Sequence, residues 1–483
     1  MAEYLSPGVY VEEYDNSPRA IEGVGTSTAG FVGMAVKGAA KGAPSLITSF
    51  AEFLREFGGY LSEFTHGGYR FLAGSVEQFF ANGGTRCYIA RVVAPGACAA
   101  SASKGIVHIR AANEGIWGNR IRIHIASSAK KKIQLLEKAG ENAYRAKNAD
   151  GFMEGDTVVF GTEYNRIASI FDDVITFAVP FTDDPVDAGL VPKKLLYLVE
   201  TDIQVRYGDE VEEYAGVSFN VASPDYIMHR LKKSELVSIS VEAADKYDNS
   251  VNQIFEYGRM SGDIVLAGGN DGSIGAVTAG TFIGADNGPG SRSGIQAFIE
   301  NDQVSMLAVP GITIPDVIVS LVSHCENLKN RFAVLDMPED YVKTKELLEY
   351  RGMVDSTYAA MYHPWIQVYD RSTQKPGYFP PSGAVMGVYA RTDVTRGVHK
   401  APANETVMCA GLSVYYNKGE QDILNPAGVN LIRRLPGQGI RVWGARTASS
   451  NNAFQYVNVR RLLSMWRRAL RQTQTGWCLS PMT

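Results

Sequence analysis

The sequence predicts an α/β protein with an α+β multi-domain arrangement, because two kinds of pattern follow one another along the chain. Strand-like and helix-like segments alternate within residues 21–104 and again after residue 266, which is typical of a mostly parallel sheet covered by helices. Between these regions, residues 105–265 are mostly strand-like with polar turns, which indicates an inserted β-rich domain. A chain of 483 residues is long enough for two to four domains.

The first part of the chain, residues 1–20, is predicted to be an extended N-terminal arm. In SPGVYVEEYD the Ser-Pro-Gly sequence breaks any helix, and the two valines that follow share one face of an extended segment. A lone strand at a chain end has to borrow the edge of another sheet. The predicted arm strand consists of Gly8, Val9, Tyr10, Val11, Glu12 and Glu13.

Residues 21–104 show a strand, two helices and a second strand. TSTAGFVGMAV predicts a buried strand, and SFAEFLREFGG predicts a short helix with Ser49 and Glu52 at capping-box spacing and Gly58 as its end. A second helix is predicted by the apolar spacing in GGYRFLAGSVEQFFANGG, and TRCYIARVV predicts another strand. We therefore expect this part to be one α/β layer.

The α/β alternation returns in residues 266–378. SGIQAFIEN and DVIVSLVSHCENL predict helices, and VSMLAVPG and NRFAVLDMPED predict strands. Residues 379–483 mix glycine-rich turns, a short strand in GIRVWGAR and a closing helix, and they form the last predicted part of the chain.

Composition excludes several classes of protein. The 47 basic and 51 acidic residues give a net charge of −4, which favours neither a nucleic-acid partner nor an acidic substrate. The five cysteines are scattered without CxxC spacing, so neither a disulfide framework nor a zinc site is predicted. The N-terminus lacks a signal-peptide pattern, and no apolar run reaches the roughly 18 to 20 residues of a membrane span. We expect a cytosolic starting point, no membrane insertion and no nucleic acid.

Candidate chemical motifs are weak. GTSTAG at 25–30 is similar to the serine motif of subtilases, but Ser27 precedes all seven histidines, so the chain order of that catalytic set is not met. The glycine-rich stretches 268–275 and 284–294 lack GK[ST] and a complete GxGxxG after a strand, and are predicted to be turns rather than phosphate sites.

Single polar residues do not form a site either. His324 and Cys325 are adjacent on an apolar helix and point in different directions, which makes them a poor metal pair. Asp336 follows an apolar strand, where α/β sheets place ligand-binding groups, but such a residue is more often a turn or cap. We predict no catalytic, cofactor-binding or metal-binding residues and no cofactor.

A basic pattern near the C-terminus has two possible explanations. The arginines could form a solvated face, the usual case, or a surface that meets acidic partners. Within this pattern, Arg460 and Arg461 are the candidates for contact with a partner protein.

Motifs along almost the whole chain resemble those of one family. In order, they are SPGVYVEE with GVGTSTAGFVG, FFANGGTRCYIARV, EGIWGN, FAVLDMPE, PPSGAVMGVYARTD with RGVHKAPANE, and RVWGARTASS with YVNVRRL. Through their order and joint presence the chain resembles contractile tail sheath proteins, which occur in contractile phage tails and phage-tail-like injection particles.

The resemblance implies a fold for each part. Residues 266–378 would form a subtilisin-like α/β domain without protease activity, and residues 379–483 would belong to an incomplete inner domain built from both chain ends. Arms at both ends add strands to neighbouring subunits in this family, and the segment Gly8–Glu13 corresponds to the N-terminal arm.

The resemblance also implies an assembly and a mechanism without enzyme activity. Subunits would polymerise as stacked hexameric rings around an inner tube, in the bacterial cytoplasm, with baseplate and tail terminator proteins as further partners. Contraction would drive the tube through a target envelope, and Arg460 and Arg461 would contact the tube or a neighbouring subunit.

Two other classes are less compatible with the residues. A subtilisin-like hydrolase would need Ser, His and Asp in a permitted chain order, and none is found. A receptor-binding or polysaccharide-binding tail protein rarely carries both arms and the α/β core.

The last residues, MWRRALRQTQTGWCLSPMT at 465–483, depart from the family pattern. One permitted back-translation of this segment, read two bases later, encodes VEESIETDTNWVVFEPND, which is the continuation that the resemblance implies. We therefore expect that a base was lost just after Leu463 or Ser464, that the segment has no selected role, and that assembly is weakened. Resequencing the gene would test this expectation.

Overall fold

The computed structural model describes residues 25–104, 107–128, 130–186, 195–241 and 262–478. The predicted arm strand Gly8–Glu13 lies outside these residues. The chain divides into two compact units: unit 1 contains residues 1–95 and 273–483, and unit 2 contains residues 96–272. The five-part division stated above stays a prediction.

The described residues form strands and α-helices along both units. The strands are β1 (Ala29–Met34), β2 (Ser45–Ile47), β3 (Cys87–Val92), β4 (Ser101–Lys104), β5 (Val107–Ala111), β6 (Arg122–Ser128), β7 (Lys132–Lys138), β8 (Ala143–Ala146), β9 (Thr157–Phe160), β10 (Glu163–Phe171), β11 (Val174–Phe177), β12 (Leu195–Leu198), β13 (Glu200–Tyr207), β14 (Glu210–Val217), β15 (Val237–Val241), β16 (Gly262–Val265), β17 (Met306–Ala308), β18 (Phe332–Asp336), β19 (Ala359–His363), β20 (Ile366–Asp370), β21 (Lys375–Phe379), β22 (Glu405–Thr406), β23 (Gly411–Leu412), β24 (Val429–Leu435) and β25 (Gly439–Val442). The helices are α1 (Phe50–Phe57), α2 (Glu63–His66), α3 (Leu72–Ala81), α4 (Ile227–Arg230), α5 (Ala279–Ile283), α6 (Pro315–Leu328), α7 (Thr344–Arg351), α8 (Ser382–Arg396), α9 (Lys418–Leu424) and α10 (Val457–Cys478).

Unit 1 is built on a nine-stranded sheet with the order β2-β3-β1-β17-β18-β19-β24-β25-β22. The central strands from β3 to β24 are parallel, and β2, β25 and β22 add antiparallel edges. All six residues of β1 are buried because both faces of the sheet are covered, and its successive residues Phe31 and Val32 enter different apolar cores. The predicted mixed α/β multi-domain class is thus confirmed.

Helices α3 and α8 pack closely in unit 1 because two glycines lie at their contact. A Cβ atom placed on Gly383 would lie 2.2 Å from the carbonyl oxygen of Ser75, and one on Gly387 would lie 2.5 Å from that of Phe79. Both distances are far below van der Waals contact. The spacing of four residues puts the two glycines on one face of α8, so the backbones can approach.

Unit 1 also contains a three-stranded antiparallel sheet with the order β21-β20-β23. Its buried face is held by Phe379, whose ring lies edge-on to Phe71 with centroids 5.5 Å apart, and by an ion pair of 3.0 Å between Asp370 Oδ2 and Arg70 Nη1. Its other face is exposed.

Unit 2 is mostly β-structure in the residues described. Strands β10-β11-β8-β7-β12-β9 close into a barrel, and two further sheets have the orders β14-β13-β6-β16 and β15-β5-β4. The barrel interior is apolar and includes the buried aromatic rings of Tyr144, Phe177 and Phe181. Strand β6 alternates between exposed residues and the buried Ile123 and Ile125, as expected where one face of a sheet meets solvent.

In the part of the chain that the structure describes, no helix is long and apolar enough to span a membrane.

Candidate functional site

The predicted contact residue Arg461 lies on α10 and is almost completely buried in unit 1. Its Nη1 donates a hydrogen bond to Asp393 Oδ1 at 2.9 Å, and its Nη2 donates to Asp393 Oδ2 at 2.5 Å. Nη2 also donates to the carbonyl oxygen of Thr26 at 3.0 Å, and the Thr26 hydroxyl donates to Asp393 Oδ2 at 2.7 Å. The guanidinium lies 4.7 Å from the ring centroid of Tyr389. One bidentate ion pair therefore joins α10, the last turn of α8 and the first described residues of the chain.

The burial of this pair determines its energetic role. Both side chains are 3% exposed, so neither charge is hydrated. Removing one partner of such a pair costs about 3–5 kcal/mol because the other charge stays buried without compensation. The guanidinium of Arg461 is occupied within its own chain, and its predicted contact with a tube or neighbouring subunit stays a prediction.

A second arginine of α10 binds the same end of the chain. Arg468 Nη1 donates to the carbonyl oxygen of Gly25 at 3.1 Å, and its Nη2 donates to that of Asp302 at 2.6 Å. Burial lowers the pKa of the Arg468 guanidinium. Arg461 and Arg468 are seven residues apart, which places them on one face of the helix. We call Thr26, Asp393 and Arg461 the terminal anchor.

The other predicted contact residue, Arg460, is half-buried and packs on aromatic rings. Its guanidinium lies 3.9 Å from the ring centroid of Phe454 and 4.4 Å from that of Tyr358, and Nη1 donates to the Tyr358 hydroxyl at 3.2 Å. Burial lowers the pKa of Arg460. Contact of this side chain with another protein also stays a prediction.

Asp336 lies at the carboxyl end of β18 and caps a helix. Its carboxylate accepts hydrogen bonds from the backbone nitrogen of Gly311 at 3.0 Å, the backbone nitrogen of Ser382 at 2.8 Å and the Ser382 hydroxyl at 2.7 Å. Burial raises the pKa of Asp336 to about 6, against the lowering effect of these three hydrogen bonds. We call Asp336, Gly311 and Ser382 the Asp336 site. It holds the first residue of α8.

The Asp336 site does not have the geometry of a hydrolase. Ser382 is fully buried, and its hydroxyl donates its proton to the carboxylate instead of to a histidine. His363, on the neighbouring strand β19, forms a hydrogen bond of 3.0 Å with the Tyr416 hydroxyl. These groups therefore stabilise the fold locally.

Burial disfavours the charged form of two histidines, His324 and His363. His324 accepts a hydrogen bond of 3.2 Å from Arg331 Nη1, and burial lowers the pKa of His324 to about 3. Burial also lowers the pKa of His363 to about 4. Among the described residues, no group of three or more His, Cys, Asp or Glu side chains is arranged to hold a metal ion.

Side-chain hydrogen bonds hold both glycine-rich stretches in place. In unit 2, Asn119 Nδ2 donates to the Gly269 carbonyl oxygen and its Oδ1 accepts from the Gly269 nitrogen, both at 2.8 Å, while Asp271 Oδ1 accepts from the nitrogen of Ile116 at 2.9 Å. In unit 1, Arg292 Nε donates to Asp286 Oδ1 at 2.7 Å. The interpretation of both stretches as turns instead of phosphate sites stays a prediction.

Sequence reasoning did not find Thr26 or Asp393. They are separated from Arg461 by 435 and 68 residues, so no local pattern connects them. The only signal was the repetition of arginines in YVNVRRL and the following residues.

Comparisons with known proteins agree with the motifs. Residues 287–448 match the family model described as the phage tail sheath protein central domain. The chain is 27% identical over 213 residues to a prophage major tail sheath protein of Pseudomonas aeruginosa, an alignment that covers 42% of this chain and 54% of that protein. It is 28% identical over 200 residues to the tail sheath protein of Escherichia phage P2, covering 38% of this chain and 49% of that protein. The chain thus spans about half the length of these curated relatives.

A solved structure has a similar fold. The crystal structure of a sheath tail protein from Desulfitobacterium hafniense superposes with a TM-score of 0.53 at 12% identity, covering 97% of this chain and 83% of that one. Together, these matches confirm the resemblance to tail sheath proteins.

Proposed function

We propose that this chain, similar in its central part to tail sheath proteins, is a structural subunit of a contractile tail sheath. Copies would polymerise as stacked hexameric rings around an inner tube, and contraction would drive the tube through a target envelope. The observation that carries the proposal is the match of residues 287–448 to the sheath central domain, within a chain whose fold is similar to that of a sheath tail protein.

The terminal anchor supports an inner domain built from both chain ends. Arg461 fixes α10 against Thr26, directly after the segment that contains the predicted arm. An arm that exchanges a strand with a neighbour needs a rigid base, because a loose base would increase the entropy lost on binding. In the terminal anchor, the buried ion pair of Arg461 and Asp393 fixes Thr26, from which such an arm would extend.

The Asp336 site supports the proposed absence of protease activity. A serine at the first position of α8 and an aspartate at a strand end are present, but they bind each other. A polar pair of this kind stabilises a helix start and leaves no nucleophile. We propose no enzyme activity and no cofactor for this chain.

The proposed mechanism is thermodynamic. An extended sheath would be metastable, and contraction would gain contacts between subunits that are absent before the trigger. A gain of about 1–3 kcal/mol per subunit, the scale of ordinary conformational coupling, would sum to a large release over hundreds of subunits. The further partners we propose are the inner tube, baseplate and tail terminator proteins, with assembly in the bacterial cytoplasm.

Electron microscopy of the purified full chain tests the proposal. We expect ring stacks or helical tubes at high protein concentration, and we expect no hydrolysis of a casein substrate. Discrete monomers at every protein concentration would refute the proposed sheath function, and hydrolysis of casein would refute the proposed absence of enzyme activity.

A further inference from the structure

The exposed face of the β21-β20-β23 sheet is aromatic. Along β20, Ile366, Val368 and Asp370 are buried, whereas Gln367 and Tyr369 point away from the core. Successive residues of a strand face opposite sides of the sheet, so Gln367 and Tyr369 both lie on the outer face of β20.

The neighbouring strands extend this face. Gln367 is paired with Tyr378, and Tyr369 is paired with Pro376, so all four side chains lie on the same side. In the antiparallel pair, Tyr369 and Tyr378 are diagonal neighbours, a separation that aromatic side chains can bridge.

Tyr415, which follows strand β23 in the chain, lies beside Gly411 of that strand. Gly411 is paired with Gln367, and a Cβ on Gly411 would lie 2.9 Å from Gln367 Oε1 and 3.3 Å from the Tyr415 hydroxyl oxygen. The bare backbone of Gly411 therefore leaves room for the Gln367 amide and for the Tyr415 hydroxyl, which accepts a hydrogen bond from the Leu412 nitrogen at 3.3 Å. We call Gln367, Tyr369, Pro376, Tyr378 and Tyr415 the tyrosine platform.

The platform is exposed and uncharged. Tyr369, Tyr378 and Tyr415 are 58%, 37% and 54% exposed. Since a tyrosine buries about 150–250 Å² when fully covered, the three rings leave on the order of 300 Å² open to solvent. An aromatic patch of this size is at the scale of functional patches on protein surfaces, and tyrosine is enriched at interfaces.

The platform is also rigid. On the opposite face, Phe379 and Trp365 both lie edge-on to Phe71, and Asp370 pairs with Arg70. A surface whose backbone is fixed in this way loses little conformational entropy when it binds.

We infer that the tyrosine platform docks on a second copy of this chain in the assembled polymer. This inference rests on the proposed function. A stable isolated pair of proteins needs about 800 Å² of buried surface on each partner, and the exposed rings supply less than half of that. The platform is therefore too small to hold a free dimer, but it suits a contact that is repeated between copies in a lattice and shares the load with other contacts. The absence of charge on all five residues fits an apolar protein surface better than a polyanion.

The test compares two variants of the full chain with the parent. The double variant Tyr369→Ser and Tyr378→Ser removes two outward rings, and Phe64→Ser is the matched control, because Phe64 is 97% exposed elsewhere in unit 1. Thermal unfolding followed by circular dichroism checks that both variants fold like the parent. Sedimentation velocity over a concentration series then measures the concentration at which polymer appears. We expect the double variant to raise that concentration at least tenfold and the control to leave it unchanged.

A cross-linking measurement identifies the partner. The photoreactive residue p-benzoylphenylalanine replaces Tyr369 in a mixture of isotopically heavy and light copies, and we expect cross-links between heavy and light chains. Polymer that forms equally well with the double variant, or cross-links confined to one copy, would overturn the inference while leaving the proposed sheath function intact. Parent chain that stays monomeric at every concentration would overturn both.

Discussion

Two buried carboxylates at opposite ends of helix α8 are stabilised in different ways. At the terminal anchor, Asp393 faces the guanidinium of Arg461, with donor distances of 2.9 and 2.5 Å. At the Asp336 site, the described neighbours that bind the carboxylate are neutral donors from Gly311 and Ser382, and burial raises the pKa of Asp336 to about 6. A buried carboxylate paired with a cation can join segments that are distant in sequence. One held by neutral donors, as Asp336 is by Gly311 and Ser382, also joins distant segments, but it becomes easier to protonate.

The largest effect should come from removing the cation of the terminal anchor. We expect Arg461→Met to lower the free energy of unfolding by about 3–5 kcal/mol, because Asp393 would remain buried and uncompensated. Urea unfolding followed by tryptophan fluorescence measures this change.

Two controls sharpen that result. Arg434→Met removes an exposed arginine of the same unit and should change stability by less than about 0.5 kcal/mol. The double variant Arg461→Met with Asp393→Leu should recover much of the loss, since replacing a whole buried pair with apolar groups is often nearly neutral. A double variant as unstable as the single one would contradict this account of the anchor.

A smaller effect, dependent on pH, is expected at the other end of α8. Ser382→Ala removes a hydrogen bond to a charged carboxylate and should cost about 1.5–3 kcal/mol at neutral pH. Below the pKa of about 6 the parent carboxyl group is protonated, so the cost should shrink as the pH falls. Unfolding free energies of parent and variant, measured across this range, test the expectation. A cost that does not vary with pH would mean that Asp336 keeps one protonation state throughout.

The contact between helices α3 and α8 should be sensitive to a single added methyl group. In Gly387→Ala the added Cβ atom would lie only 2.5 Å from the carbonyl oxygen of Phe79, so α3 and α8 must separate. Overpacking of this kind costs about 1–3 kcal/mol. Gly59→Ala is the control, because a Cβ there meets no atom within 4 Å. Equal melting temperatures for the two variants would show that the helices can move apart without cost.

The smallest effect concerns His363 in acid. Its folded pKa of about 4 lies below the ordinary value of 6.5, so it contributes stability that is present above pH 6.5 and is lost as the pH falls toward 4. Between about pH 7.5 and pH 5.5 this loss amounts to about 1 kcal/mol. We expect His363→Gln to lose about that much less stability than the parent over the same interval, in urea titrations at each pH. Identical losses would exclude His363 as a source of acid sensitivity.

Local features of the fold could be predicted from the sequence. The capping signal of α1 is confirmed, since the Ser49 side chain accepts a hydrogen bond from the Glu52 nitrogen, and Gly58 ends the helix with a φ of 79°. FAVLD forms the fully buried strand β18, as its continuous apolar character indicated. These features depend on residues a few positions apart, where spacing carries the information.

Long-range features could not be predicted in this way. The terminal anchor joins residues near both chain ends, and the tyrosine platform needs the register of β20 with both β21 and β23. The platform also depends on which side of β20 faces the core, which tertiary packing decides. The alternation in WIQVYD and KPGYF was visible in the sequence, but it did not reveal that the aromatic positions share an outer face.

Helix α8 would transmit a pulling force, because both of its ends are fixed. Its first residue is bound to the end of a central strand by Asp336, and its last turn is bound to Thr26 by Asp393 and Arg461. A pull on Thr26 would therefore put α8 under tension, which would pass along its hydrogen-bonded backbone to the end of β18. The close packing of Gly383 and Gly387 against α3 would oppose sideways displacement of the helix.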